Sequence, residues 1–338
     1  MKLKVAIGLI ISVVFIYLTF HTVDLKQIFH IIANANYLWL IPAIALMLIS
    51  HYLRALRWQL MIEPIKNVKI TPLFSALMIG YAANNVFPFR AGEFFRAYAI
   101  GKSEKISTSS AFATVFVERF VLDFIPLLVI LSIIFVVFAS VLDERIKLGA
   151  YIICLITTLG VIFIIFLLQK TDATVEKLRS ILPQKFFIIV ERTLPAFSKG
   201  CLFLKQSHHY FSVTFLTILV WLLYVFSIYF SFYIFDFPDK YNLNIYSSLL
   251  VLAFVTFGIV IPASPGYVGT FHYFCALSLQ TLLVPDDEAK SFALISHLLN
   301  VIPVSIIGLW YFWKENLSFS AAVSEKESVE RAEIPPVS

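Results

Sequence analysis

Six ionisable side chains interrupt sequence that otherwise suits a bilayer interior. Arg90, Glu93 and Arg96 lie within Asn84-Asn85-Val86-Phe87-Pro88-Phe89-Arg90-Ala91-Gly92-Glu93-Phe94-Phe95-Arg96. Glu118, Arg119 and Asp123 lie within Glu118-Arg119-Phe120-Val121-Leu122-Asp123. Charge at membrane depth is costly and marks a functional site by default. Three-residue spacing sets Arg90, Glu93 and Arg96 roughly on one helical face. Arg90 follows the break imposed by Pro88, so it falls near a helix start, where free N–H groups favour an anion. An arginine fork binds phosphate through two hydrogen bonds. The chemistry indicated is recognition of a phosphate-bearing lipid head group. The plainer alternative is that Arg90 and Arg96 are anchors that snorkel to the interface.

Glu118 and Asp123 have the sign to balance Arg90 or Arg96. Unpaired buried charge is expensive, whereas a buried pair roughly breaks even. The pairs serve either the substrate or the structure, and the two roles can coexist. Arg119 would complete the network. Arg54 and Arg57 precede Trp58 at the end of an apolar run, and that combination reads as ordinary interfacial anchoring. Asn84 and Asn85 suit a polar cavity or a turn cap. His272 and His297 sit in apolar segments and read as buried hydrogen-bonding residues. Tyr267 and Tyr273 follow a second Pro/Gly break and are weaker candidates for the same cavity.

These groups need a membrane scaffold, and composition supplies one. The chain has 338 residues, 60% hydrophobic and 14% charged. A soluble domain would carry about 25% charged residues. Apolar runs cover about 5–20, 38–56, 72–87, 108–140, 148–168, 211–235, 246–262, 267–284 and 291–313, close to the length that spans a bilayer. They do not alternate as barrel strands do. The expectation is an all-α polytopic protein with about eight spanning helices and one or two re-entrant hairpins. Residues 1–314 would form one membrane domain and 315–338 a disordered tail. Lys2 and Lys4 precede a retained first helix rather than a signal peptide. In the polar stretch 169–210, Val190, Leu194, Phe197, Cys201 and Leu204 have helical spacing. They suit a helix on the inner leaflet or one packed on the bundle. The net charge of +5 belongs to loops, so nucleic acid is not indicated. Cys154, Cys201 and Cys275 show no metal or redox spacing.

Basic loops set the orientation. Residues 169–210 are rich in Lys and Arg and belong in the cytoplasm, whereas 236–245 and 285–290 are acidic and belong outside. Both 54–70 and 89–107 are basic, yet only the short run 72–87 separates them. The conflict resolves if about 72–100 dips into the membrane and returns, with its tip from Asn84 to Gly92. Residues 246–284 form a second hairpin or two full spans. Pro88/Gly92 and Pro262/Gly266 share a Pro-x-x-x-Gly spacing. Broken helices entering from opposite faces would build a midplane site by an inverted repeat. Pro88, Gly92, Pro262, Pro265 and Gly266 would be its hinges. Both termini fall in the cytoplasm.

No nucleotide loop, zinc-protease helix or nucleophile elbow occurs. No metal or organic cofactor is implied, and transport would be passive or ion-coupled. Taken in order, Arg54-Ala55-Leu56-Arg57-Trp58, Pro88-Phe89-Arg90-Ala91-Gly92-Glu93-Phe94-Phe95-Arg96-Ala97-Tyr98, Glu118-Arg119-Phe120-Val121-Leu122-Asp123 and Pro262-Ala263-Ser264-Pro265-Gly266-Tyr267-Val268-Gly269 resemble one family. It is the transmembrane region of lysylphosphatidylglycerol synthases, or flippase-like domain proteins. The resemblance covers about residues 5–315. It implies a flippase of the plasma (inner) membrane, not an enzyme, that moves a phosphate-bearing lipid, a phospholipid or a polyprenyl-phosphate-linked glycolipid, and whose partner is a lipid with an anionic head group. The chain stops without the soluble aminoacyltransferase domain of two-domain members, so the expectation is that it does not make the lysyl lipid. Two rivals are a membrane-embedded lipid-modifying enzyme with Glu118 or Asp123 as base, and a non-transporting partner of an envelope glycosyltransferase.

Overall fold

The structure, a computed structural model, describes residues 2–21, 24–87, 90–138, 208–261 and 265–315, with isolated positions between 144 and 159, at 203 and at 317. The amphipathic stretch within 169–205, most of the run 148–168, most of the tail, Pro88 and Pro262 lie outside the described residues. Among the described residues every regular element is helical, and the chain is an all-α membrane protein. In order they are α1 (Lys2–Phe20), α2 (Leu25–Ala33), α3 (Leu40–Ile62), α4 (Ile70–Val86), α5 (Gly92–Glu104), α6 (Thr108–Val117), α7 (Phe124–Val137), α8 (Tyr210–Phe232), α9 (Phe237–Tyr241), α10 (Ile245–Val260), α11 (Thr270–Thr281) and α12 (Asp286–Lys314).

With their flanking turns, α3, α8 and α12 are long and apolar enough to cross a membrane. The helices of the two hairpins are shorter. The 17 residues of α4 and the 16 of α10 reach about 25 Å at 1.5 Å per residue. A hydrocarbon core is about 30 Å thick. Each pair turns back toward the end where it began. At the open end of α4–α5, Lys66 Nζ donates to Glu104 O at 2.6 Å and to its carboxylate at 2.8 Å. His209 meets Glu63 at 2.8 Å there, and Ser75 hydrogen-bonds Glu315. At the open end of α10–α11, Tyr241 Oη donates to Glu288 at 2.7 Å and Gln280 to Asp286 at 2.5 Å.

These two ends lie at opposite poles. The first holds the C-termini of α3 and α12, and the second holds the N-terminus of α12. The exchange α3 with α8, α4 with α10, α5 with α11, and α6–α7 with α12 preserves the main neighbour pattern. Thus α4 packs on α3, α5 and α12, while α10 packs on α8, α11 and α7. Each pole has its own core. Trp58, Met61, Leu73, Ala97 and Ile100 fill one, and Phe232, Phe237, Phe271, Leu279 and Phe292 fill the other.

Helix α4 approaches its neighbours at van der Waals distance. A Cβ on Gly92 would fall 1.8 Å from Gly80 O. One on Gly308 of α12 would fall 2.3 Å from Met78 O. Small residues at such crossings let membrane helices pack backbone to backbone.

Candidate functional site

The run read as one helix over 108–140 is interrupted. Residues Glu118–Leu122 form a π turn, in which Asp123 N donates to Glu118 O at 3.0 Å. Five residues apart on an α-helix, Glu118 and Asp123 would point about 140° apart. The wider turn lets both carboxylates face α3. Such π insertions recur at functional sites.

There they meet Arg54 and Arg57. Arg54 contacts Glu118 Oε1 at 2.7 Å and Asp123 Oδ2 at 3.0 Å. Arg57 contacts Glu118 Oε1 and Asp123 Oδ1, both at 2.8 Å. Tyr224 Oη accepts from Arg54 and Thr217 Oγ1 from Arg57, each at 3.0 Å. The interfacial-anchor reading of these arginines is therefore corrected. Arg57 is wholly buried and Arg54 is 4% exposed, so neither side chain reaches an interface. Their signal was an arginine pair three residues apart, one turn after His51. The following Trp58 masked it by suggesting an anchor.

The Arg90, Glu93, Arg96 face divides. Arg90 lies before α5 with a left-handed backbone, φ 54°, a conformation that costs a non-glycine residue about 1 kcal/mol. Its guanidinium donates to Glu93 Oε1 at 2.7 and 3.1 Å. Arg96 turns away, lies 3.7 Å over the Trp58 ring and contacts Glu118 Oε2 at 2.7 Å. Trp58 is fixed by donating Nε1–H to Thr114 at 2.8 Å. The expected free amides at the start of α5 are also absent. Asn84 Oδ1 accepts from Gly92 N at 2.7 Å. Arg90 O and Ala91 O accept from Glu93 N and Phe94 N. Asn84 is thus the hairpin cap.

Arg119 links the two carboxylate groups, with Nε 3.4 Å from Glu93 and Nη1 3.5 Å from Asp123. The network holds Arg54, Arg57, Arg90, Arg96 and Arg119 against Glu93, Glu118 and Asp123. Five positive groups face three negative ones.

The network forms one end of a cavity of about 900 Å³. Arg54, Tyr81, Asn84, Asn85, Arg90, Glu93, Arg119 and Asp123 line that end. Apolar groups of α7, α8 and α10, among them Leu127, Leu131, Trp221, Phe254 and Phe257, extend it. Arg96 and Glu118 lie behind this wall. The second hairpin closes the cavity with Gly266 and Tyr267, beside His297 of α12. Tyr273 instead packs edge-on against Phe15 at 5.2 Å.

The two hairpin tips meet over the middle of α12. Asn85 Nδ2 donates to Ser305 Oγ at 2.8 Å. His297 Nε2 lies 2.7 Å from Gly266 O. A Cβ on Gly266 would sit 3.6 Å from Asn85 O. The His272 ring lies 4.5 Å from that of His297, tilted by 46°, and its Nδ1 accepts from Gly269 N at 3.3 Å. Both histidines therefore hold the second tip, as buried hydrogen-bonding groups.

With the geometry in place, comparison with known proteins is informative. The family model described as lysylphosphatidylglycerol synthase TM region matches residues 5–308. The chain belongs to that family. The match takes in both hairpins and every charged residue of the network. A UPF0104 membrane protein of Methanocaldococcus jannaschii is 34% identical over 129 residues, 36% of this chain and 38% of the relative. A UPF0104 membrane protein of Methanothermobacter thermautotrophicus is 34% identical over 122 residues, 35% of this chain and 36% of the relative. The chain thus spans little more than a third of the length of either relative. No solved structure matches.

Proposed function

We propose that this protein moves a lipid with an anionic head group between membrane leaflets. The observation that carries the reading is the cavity's polarity. An arginine-rich end continues into a wall of aromatic and aliphatic side chains, the pattern of a lipid's head and tail. Arg90 and Arg119 hold the phosphate, because they face the cavity and are less committed than Arg54 and Arg57. Glu93 keeps Arg90 in place when the site is empty. Arg96 and Glu118 position the network from behind. The opposed hairpins provide two gates around one site, which is how broken helices support alternating access in other transporters. By the positive-inside rule, the pole bearing Lys66, Lys69, Lys102 and Lys105 faces the cytoplasm of the plasma membrane.

The test is leaflet exchange of head-group-labelled lipids in proteoliposomes. Phosphatidic acid, phosphatidylglycerol, lysylphosphatidylglycerol and phosphatidylcholine form the panel. Exchange of an anionic lipid by wild type, lost in Arg90→Ala, supports the proposal. Unchanged exchange in the variant contradicts it. A chemically altered lipid would point instead to the membrane-embedded enzyme.

A further inference from the structure

Charge balance and hydrogen-bond supply at the head-group end of the cavity define the ligand further. This step rests on the lipid-binding reading above. Arg54, Arg57 and Arg96 face Glu118 and Asp123, which leaves one positive charge at the back. Arg90 and Arg119 face Glu93, which leaves one at the front. Among the described residues no other Asp, Glu, Lys or Arg lines the cavity. Buried charge without compensation is costly, and among the described residues the site is two negative charges short.

The hydrogen-bond count points the same way. Tyr81 Oη, His51 Nδ1, Arg119 Nε and Trp221 Nε1 belong to cavity-lining side chains. All four atoms are buried without a hydrogen-bond partner among the described residues, and Arg119 Nε has only its 3.4 Å ion-pair contact with Glu93. His51 and Trp221 are themselves 8% and 9% exposed. The Tyr81 ring lies 4.7 Å from His51 and 6.0 Å from the Arg119 guanidinium, so three of these atoms belong to one chamber. Tyr81 and Arg119 offer donors there, and the His51 ring nitrogen offers a donor or an acceptor according to its tautomer. Buried polar atoms left unpaired are the exception in folded proteins and mark a missing partner.

We propose that the chamber selects a lipid ending in a phosphomonoester, which carries close to two negative charges. Its three terminal oxygens accept hydrogen bonds, and above its second ionisation it donates none. A phosphodiester brings one negative charge and two such oxygens. It leaves one positive charge unmatched.

The experiment compares thermal melting of the purified protein in neutral detergent with added phosphatidic acid, phosphatidylglycerol or inorganic phosphate. At about pH 8, phosphatidic acid stabilises at roughly tenfold lower concentration than phosphatidylglycerol. The gap closes as pH falls below about 6, where the phosphomonoester takes up its second proton. Arg119→Gln lowers the deficit to one charge and removes the preference. Tyr81→Phe keeps the ring and narrows the gap, which guards against misfolding of the arginine variant. Equal stabilisation by both lipids at every pH overturns the inference. So does inorganic phosphate alone reproducing the full effect, since the site would then take a free anion. Leaflet exchange of the same lipids separates the two proposals. Selective binding of phosphatidic acid without exchange removes transport and keeps selectivity. Exchange of both lipids at equal rates with equal binding removes selectivity and keeps transport.

Discussion

The tips of α4–α5 and α10–α11 are fixed by different means. At the first, Asn84 caps Gly92, Arg90 clasps Glu93, and Arg96 and Arg119 tie the hairpin to the carboxylates of the π turn. At the second, Gly266 adopts φ 64° and Gly269 φ 93°, and His272 and His297 bind the turn backbone. Both are short helix pairs that reach the same depth from opposite poles. Only the first carries charge. Under the proposed function, the difference gives ligand recognition to one hairpin and closure to the other. A symmetric frame has thus been given an asymmetric site.

The comparison is tested most severely at Glu118, which three arginines share. Glu118→Ala leaves the buried Arg54, Arg57 and Arg96 short of a counter-charge. The expected loss is about 3–5 kcal/mol, measured as a collapse in detergent melting temperature. A change below 1 kcal/mol would show that the network does not hold the first hairpin. Gly92→Ala comes next. Its Cβ would meet Gly80 O and the Asn84 side chain, so overpacking of about 1–3 kcal/mol is expected. Gly258→Ala in α10 meets Thr270 O at 2.9 Å and Phe274 at 3.0 Å. It should cost less than Gly92→Ala, because its nearest contact is 2.9 Å from a backbone oxygen rather than 1.8 Å. The reverse order would mean that the second hairpin is the more tightly packed of the two.

Gly266→Ala and Asn84→Ala are the smallest and the most discriminating. The left-handed backbone makes the first cost about 1 kcal/mol, and loss of a helix cap makes the second cost about 1 kcal/mol. If the division of labour holds, Gly266→Ala slows lipid exchange with head-group preference intact. Asn84→Ala shifts the start of α5, and with it Arg90, and weakens lipid binding. Melting curves and lipid titrations of the two variants distinguish these outcomes.

Much of this frame was legible in the chain. Apolar run length marked the helices, and the two basic loops flanking 72–87 required a return to the same pole. The Lys66–Glu104 contact shows that return directly. The repeated Pro-x-x-x-Gly spacing marked both tips. The π turn was not legible, because one inserted residue leaves no hydropathy signature within an apolar run. That insertion decides where Glu118 and Asp123 point. Arg54 and Arg57 were misread for a related reason. A sequence shows that arginine is near a helix end, but burial depends on which carboxylate comes across from another helix. Arg96 was placed with Arg90 because three-residue spacing assumes a continuous helix, whereas Arg90 lies before the helix start. His51 and Tyr81 gave no signal, since what singles them out is a polar atom without a hydrogen-bond partner among the described residues.

The most direct measurement of the central claim is sidedness of cysteine labelling. Single cysteines at Lys66, Lys102 and Lys240 are introduced into a chain whose Cys154, Cys201 and Cys275 are replaced by serine. Right-side-out and inverted vesicles are then treated with an impermeant thiol reagent. All three positions are exposed, so each should react readily from its own side. Two opposed hairpins predict that positions 66 and 102 label from the same side and position 240 from the other. Labelling of 66 and 102 from opposite sides would make α4 a full span and contradict the account.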